Sequence, residues 1–135
     1  MYIIRKQFHF SAAHRLYSPH LSDEENERQF GKCSSPNYHG HNYKLDVAVT
    51  GEKSPQTGMV INFDELKKIV QERIILELDH RNLNLDVDFL KGEITTAENL
   101  ARLIWERLAP HLSSVRLYEI ILSETDDNIV IYRGD

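Results

Sequence analysis

Three histidines have the types and spacing that most directly indicate chemistry. His39 and His41 lie two apart in YHGHNY, and in an extended chain residues i and i+2 point to the same side. Gly40 between them leaves room for a close approach of the backbone. His14 ends a separate apolar stretch, so three imidazoles converge if the two segments are neighbouring strands. Three histidines suit zinc, and a three-ligand site leaves its fourth position open for water or substrate.

A His-x-His pair has less specific explanations. Taken alone, the pair is explained equally well by chance and by a metal-binding role. A cupin metal site also uses His-x-His, but it needs a glutamate a few residues on. The residues that follow His41 are NYKL, without a glutamate, so the cupin alternative fails.

The only cysteine, Cys33, lies six residues before His39. Near a cationic metal site a thiol ionises more easily and can act as a base or a nucleophile. The simpler alternative is a small buried hydrophobic side chain. The flanking sequence GK and SSP is typical of a loop, and this favours the functional interpretation.

Two acidic positions are further candidates. Asp79-His80 ends a predicted helix, and an Asp–His pair can orient an imidazole for proton transfer. A histidine at a helix C-terminus also interacts favourably with the helix dipole, which is the more ordinary interpretation. Glu124 lies in a polar connection between two apolar strands, where its carboxylate could bind the donor–donor edge of a heterocycle. Its ordinary interpretation is a solvated turn residue.

Four strands and two helices are predicted to position these residues. Residues 2–14, 42–50, 115–122 and 129–132 are the strands, and the polar segment 18–29 is predicted as an exposed loop with room for a helical turn. Two capping boxes begin the helices, Asn62 with Glu65 and Thr95 with Glu98, and Pro110 limits the second helix. The order of elements predicts an α+β fold, with an antiparallel sheet covered on one face by two helices.

The predicted helices carry apolar stripes at helical spacing. The stripe of the first helix contains Leu66, Ile69, Val70, Ile74 and Leu78. The stripe of the second contains Ala97, Leu100, Ala101, Ile104 and Leu108.

Bulk composition excludes several classes of protein. The chain has 135 residues and no internal repeat or change in composition, so we expect one domain over residues 1–135. The net charge of −5 argues against nucleic acid as the main partner. A single cysteine rules out an internal disulfide framework and suits a reducing compartment. The N-terminus has no apolar signal region and no segment is long enough to span a membrane, so we expect a cytoplasmic protein.

Taken together, these fragments resemble the 6-pyruvoyltetrahydropterin synthase family. The segments, in order, are FSAAHRL (10–16), FGKCSSPNYHGHNYKLDVAVTG (30–51), TGMVINFDELK (57–67), LDHRNLNLD (78–86), TTAEN (95–99) and SETDDNIVIYRG (123–134). They run nearly end to end in the family's order. The combination of Cys-x5-His-x-His with Asp-His and Glu-Thr is far more specific than any one motif.

The resemblance implies a fold, an assembly and a set of roles. The fold is the tunnelling fold (T-fold), a four-stranded antiparallel sheet with two helices on one face. Members form trimers that stack into hexamers, with sites at subunit interfaces. The implied roles are zinc binding for His14, His39 and His41, catalysis for Cys33, Asp79 and His80, pterin anchoring for Glu124, and lining of the pterin pocket for Thr95 and Thr96.

The resemblance also implies a reaction. The substrate is 7,8-dihydroneopterin triphosphate, and a zinc-dependent lyase of this family converts it to 6-pyruvoyltetrahydropterin with loss of triphosphate. Arg15, Lys32 and Arg133 are candidates for holding the triphosphate, and each is also compatible with a plain surface charge.

Three alternatives stay open at the level of sequence. The family also contains 6-carboxytetrahydropterin synthase of the queuosine (deazapurine) pathway, which releases acetaldehyde and triphosphate; the five residues SSPNY between Cys33 and His39 and the long acidic segment before Cys33 favour the pyruvoyl branch. A non-catalytic zinc module would not need the Asp-His pair or a thiol in a loop. A zinc hydrolase would need a positioned general base, a role that Glu124 could serve.

Overall fold

Two long strands form the centre of the fold. In the computed structural model, which describes residues 1–135, β1 (Ile3–His14) pairs antiparallel with β2 (His39–Thr50) along its whole length. The register runs from Ile3 opposite Thr50 to His14 opposite His39. Both predicted strands are confirmed, and β2 begins earlier than predicted because the His-x-His segment already belongs to the ladder.

The sheet contains one strand more than the sequence predicted. β4 (Arg116–Ser123) pairs antiparallel with β2, and β5 (Ile129–Tyr132) pairs antiparallel with β4. These strands and β1 make the predicted four-stranded antiparallel sheet. The two-residue β3 (Arg81–Asn82) adds to β1 in parallel, so the strand order is β3-β1-β2-β4-β5 and the sheet is mixed.

The first predicted helix consists of three consecutive pieces. α2 (Phe63–Val70) continues through a π-helical turn (Gln71–Ile75) into α3 (Leu76–Leu78). Asn62 is its N-cap, and its side-chain oxygen accepts a hydrogen bond from the Asp64 amide at 2.8 Å. Glu65 makes no hydrogen bond back to the cap, so the predicted capping box is reduced to a single-sided cap.

The cap of the second predicted helix, α4 (Ala97–Leu108), lies one residue later than predicted. Thr96 is the N-cap, and its hydroxyl accepts a hydrogen bond from the Asn99 amide at 3.2 Å. The assignment of Thr95 as the cap, with Glu98 as its partner, was wrong. Two adjacent threonines offer the same chemistry, and Thr95 is instead buried against the end of β1.

A third helix lies where the sequence predicted an exposed loop. α1 (Asp23–Phe30) is capped by Ser22 and has acidic residues in its first turn. Asn26 is its only buried residue, and its side chain accepts from the Ser18 amide at 2.7 Å and donates to the Ser18 carbonyl at 3.0 Å. The segment was predicted as a loop because a helix anchored by one polar side chain has no apolar stripe.

One face of the sheet carries the hydrophobic core. Twenty-three buried residues form one cluster, which includes apolar side chains from β1, β2 and β4 and the stripes of α2, α3 and α4. Ile69 and Ala97 are the two stripe residues that pack only at its margin. The opposite face presents exposed residues of β1 such as Arg5, Gln7 and His9. None of the helices has the length and apolar character needed to cross a membrane.

Candidate metal centre

The register of β1 and β2 brings the three histidines together. His14 lies directly opposite His39, and His41 lies opposite Ala12. Directly opposed residues have their Cβ atoms about 5 Å apart, and all three side chains lie on the face that carries the core. One potential ligand atom from each histidine lies within 4.8 Å of the other two. The three imidazoles were predicted to converge if their two strands were neighbours, and in the structure they do.

The backbone before His39 supports this arrangement. Tyr38 adopts a left-handed conformation with φ of 65°, which is uncommon for a residue other than glycine. This residue turns the chain from the Cys33 segment into β2. The His-x-His pair therefore lies at the very start of β2, directly after this turn.

His14 is held in one tautomer. Its ring is fully buried, and Nδ1 lies 2.9 Å from the Thr95 carbonyl oxygen. Since a carbonyl only accepts hydrogen bonds, Nδ1 carries the proton and Nε2 keeps its lone pair. Burial lowers the pKa of His14 to about 4, against a smaller opposing effect of the Thr95 bond. His14 is therefore neutral at physiological pH, as a metal ligand must be.

The other two histidines have nitrogen atoms without partners. His39 Nδ1, His39 Nε2 and His41 Nε2 are buried and make no hydrogen bond. Burial and the neighbouring His41 lower the pKa of His39, so its neutral form is favoured. Buried polar atoms without partners are costly in native proteins. A shared metal ion would satisfy them, and a set of three imidazole nitrogens fits Zn²⁺.

Glu124 and Tyr43 lie beside the histidines. The two carboxylate oxygens of Glu124 are 3.5 Å from His41 Nε2 and 3.9 Å from His14 Nε2. The Tyr43 hydroxyl is 3.5 Å from His14 Nε2, and burial raises the pKa of this hydroxyl, so it stays protonated. Tyr43 was not predicted as a site residue, although its side chain lies on the same face of the strand as the two histidines in YHGHNY.

Asp79 and His80 form the predicted pair. Asp79 Oδ2 is 3.0 Å from His80 Nδ1, and Asp79 Oδ1 accepts a hydrogen bond from the Ser11 amide at 2.9 Å. The Ser11 bond is the main reason that the pKa of Asp79 is lowered. His80 has φ of 62° and its side chain is 84% exposed. A groove of about 530 Å³ is lined by both His80 and His41, so one member of the pair and one of the three histidines border the same space.

Cys33 makes no hydrogen bond to the Asp79–His80 pair of its own chain. It is half-buried in a 3-10 turn (Gly31–Ser34), and its carbonyl accepts a hydrogen bond from the Leu16 amide at 2.8 Å. That bond ties the cysteine segment to the residues just after His14.

The fold and the site together define a class of protein. It is an α+β protein whose mixed sheet carries, at one end of its core, three histidines that could hold a metal ion. The family model described as 6-pyruvoyl tetrahydropterin synthase matches residues 3–135, and this chain belongs to that family.

Individual relatives agree with this assignment. Proteins named 6-pyruvoyl tetrahydrobiopterin synthase from Pongo abelii and Homo sapiens are 52% and 50% identical over 132 residues, which is 98% of this chain and 91% of each relative. The solved structure of Caenorhabditis elegans 6-pyruvoyl tetrahydropterin synthase superposes with a TM-score of 0.93 at 43% identity, covering 99% of this chain and 96% of that one.

A relative from the other branch of the family is more distant. A protein of Haemophilus influenzae named 6-carboxy-5,6,7,8-tetrahydropterin synthase is 32% identical over 143 residues, covering 88% of this chain and 93% of the relative. The queuosine alternative raised by the sequence is therefore not supported.

Proposed function

We propose that this chain is a zinc-dependent lyase that converts 7,8-dihydroneopterin triphosphate to 6-pyruvoyltetrahydropterin with loss of triphosphate. Residues 1–135 form its single catalytic domain. The observation that carries the proposal is the cluster of three imidazoles with unpartnered buried nitrogens, in a chain about half identical to synthases of that name. A free cysteine suits a reducing compartment, and we place the protein in the cytoplasm.

His14, His39 and His41 would hold the zinc ion. When bound, it supplies Lewis-acid chemistry that makes the C–H next to a coordinated hydroxyl more acidic. His14 contributes Nε2, because Nδ1 is bound to Thr95. Zinc binding requires neutral imidazoles, because a protonated nitrogen cannot coordinate a metal ion.

Cys33, Asp79 and His80 are proposed to move the proton. The Cys33 thiolate takes it from the substrate side chain, and Asp79 orients His80 to relay it. Triphosphate leaves with the electrons of its C–O bond, and redox tautomerisation of the side chain yields the pyruvoyl product. His80 is 84% exposed and Cys33 makes no hydrogen bond to it within the chain, so we propose that the two residues meet across a subunit interface.

Glu124 is proposed to anchor the pterin ring. Its carboxylate is mostly buried, 17% exposed, and faces the metal centre, where charge-assisted hydrogen bonds to a donor–donor edge are strong. Thr95 and Thr96 were expected to line the same pocket. The Thr95 hydroxyl is bonded to the Arg15 carbonyl and Thr96 caps α4, so both are held in place at this end of the sheet, and we keep them as proposed pocket residues.

A homohexamer built as a dimer of trimers is proposed as the assembly. β1 pairs on its outer side only at Ala12 and Ala13, and the outer edge of β5 has no partner. Ile129 and Ile131 of β5 are 53% and 56% exposed. Open edges with exposed apolar side chains favour pairing with another copy.

Product identification with 7,8-dihydroneopterin triphosphate tests this function. We expect the 6-pyruvoyl product and free triphosphate, detected by chromatography and mass spectrometry. His41→Ala is the matched negative control. It should lose zinc and turnover together, because only two of the three proposed ligands are left. Release of acetaldehyde, or no turnover by a zinc-loaded hexamer, would contradict the proposal.

A further inference from the structure

The side chain of Asn84 pairs with the backbone of the residue after His14. The Arg15 amide donates to Asn84 Oδ1 at 2.9 Å, and Asn84 Nδ2 donates to the Arg15 carbonyl at 3.1 Å. A primary amide that accepts and donates in this way reproduces a peptide group of a neighbouring strand. The parallel pairing of β3 with β1 ends at Asn82 opposite Ala13. Asn84 therefore extends this pairing past His14.

Thr95 connects this pairing to the imidazole. Its hydroxyl lies 3.2 Å from the Arg15 carbonyl oxygen and 3.3 Å from Asn84 Oδ1. Its own carbonyl accepts the proton of His14 Nδ1 at 2.9 Å. Thr95 is 3% exposed, so water does not compete for these bonds. One residue thus contacts both the backbone next to His14 and its ring.

The chain before His14 is held by the same short segment. The Leu83 amide donates to the Ala13 carbonyl at 2.8 Å. The backbone is consequently bonded on both sides of His14 to residues 83 and 84, and the ring is bonded to Thr95. These contacts determine where His14 Nε2 points.

We propose that Asn84 is a positioning residue that, with Thr95, holds His14 in the orientation required for zinc binding. The inference rests on the proposed metal site and concerns residues that are not themselves zinc ligands. Partners that orient a metal ligand typically affect metal affinity by about 10-fold to 100-fold when they are removed. A purely structural role for Asn84 would instead lower the stability of the chain and leave zinc affinity unchanged.

The test measures zinc affinity directly, by competition of the apoprotein with a chromophoric chelator. We expect Asn84→Ala to weaken zinc binding about 10-fold to 100-fold. Asn84→Asp still accepts from the Arg15 amide but cannot donate to its carbonyl, so it should recover part of the affinity. The visible spectrum of bound Co²⁺ should shift in Asn84→Ala, since the geometry of the coordination changes.

Asn62→Ala is the matched control, because it removes an asparagine that caps α2 and touches none of the histidines. It should lower folding stability and leave zinc affinity unchanged. If Asn84→Ala does not fold, Thr95→Val replaces it; this change removes the hydroxyl, keeps the carbonyl and should also weaken zinc binding.

Three outcomes would overturn the inference. One is wild-type zinc affinity in the folded Asn84 or Thr95 variants, and another is an equal loss in Asn62→Ala. In either case the proposed function survives, because the wild type still binds zinc. The third is a wild type that binds no zinc at all, which would overturn the metal site and this inference together.

Discussion

At the scale of single residues, the three histidines differ in how firmly they are held. His14 is fully buried and fixed through Thr95, whereas His39 and His41 have nitrogens without any hydrogen-bond partner. The site thus has one imidazole whose orientation is fixed by a hydrogen bond and two whose orientation is set by packing alone. Glu124, within 4 Å of two of them, adds negative charge where a cation would sit.

Replacing Cys33 distinguishes the zinc-enzyme hypothesis from the alternative of a non-catalytic zinc-binding module. In Cys33→Ala the three histidines remain and the 3-10 turn loses only a small, half-buried side chain. We expect zinc content and fold to be kept and turnover to fall by at least ~10²-fold, the lower range for a positioned proton-transfer group. Metal analysis and a rate assay on the same sample check both parts. Loss of zinc would instead make the cysteine a metal ligand.

Replacing Glu124 tests its contact with the ring. Glu124→Gln keeps the shape and removes the charge, so substrate binding should weaken by roughly 1.5–3 kcal/mol, the range for hydrogen bonds to charged groups. Zinc should remain bound, because the ligand set is unchanged. Steady-state kinetics with metal analysis provide the measurement, and an unchanged Michaelis constant and turnover would reduce Glu124 to a turn residue.

At the scale of elements, the convergence of the three histidines depends on the register in which β1 and β2 pair. His14 and His39 are the last and first residues of their strands and lie opposite each other in the ladder. A shift by one residue would send the side chains of a strand to the opposite face. The apolar residues of β1 and β2 that fill the core therefore also keep the histidines on the core face.

Replacing the caps tests the corrected start of α4. Thr96→Ala removes the acceptor for the Asn99 amide and should lower the free energy of unfolding by about 0.5–2 kcal/mol. Glu98→Ala is the matched control, because it removes the partner that the sequence assigned and should have a smaller effect. Urea denaturation of both variants measures the difference. A larger loss in Glu98→Ala would restore the predicted capping box.

Periodic elements could be predicted from the sequence, and aperiodic ones could not. β1, β2, β4, β5 and the stripes of the core helices follow from alternation and helical spacing. β3 has only two residues and α1 has one buried side chain, so neither shows a periodic pattern of apolar residues in the sequence. Asn84 and the contact between Thr95 and His14 were not predicted, for a related reason. Their contacts join segments that are far apart in sequence, and no local pattern encodes them.

At the scale of the whole molecule, the chain has two open sheet edges. Their exposed apolar residues suit contact with another copy of the chain, as the proposed hexamer requires. The net charge of −5 does not prevent this association, because the β5 edge carries isoleucines and no charge at its exposed positions.

Placing a charge on the β5 edge tests the assembly. Ile131→Lys introduces a side chain that discourages edge pairing, and we expect a smaller species than the hexamer with reduced turnover. Leu76→Lys is the control, since Leu76 is 65% exposed but lies on a helix. Light scattering gives the mass of each variant. A stable, active wild-type monomer would contradict the proposed assembly.

The pairing of His14 with His39 has a topological consequence. Residues 15–38, which include α1 and Cys33, leave the sheet at one histidine and return at the other. An ion shared by both would close this segment into a loop as a removable cross-link does. Because the site does not exist in the unfolded chain, the free energy of metal binding would add to the stability of the folded state. A molecule nicked by a protease within α1 would then keep its two fragments joined at the metal as well as through the ladder. Chelation would loosen that junction without breaking any covalent bond.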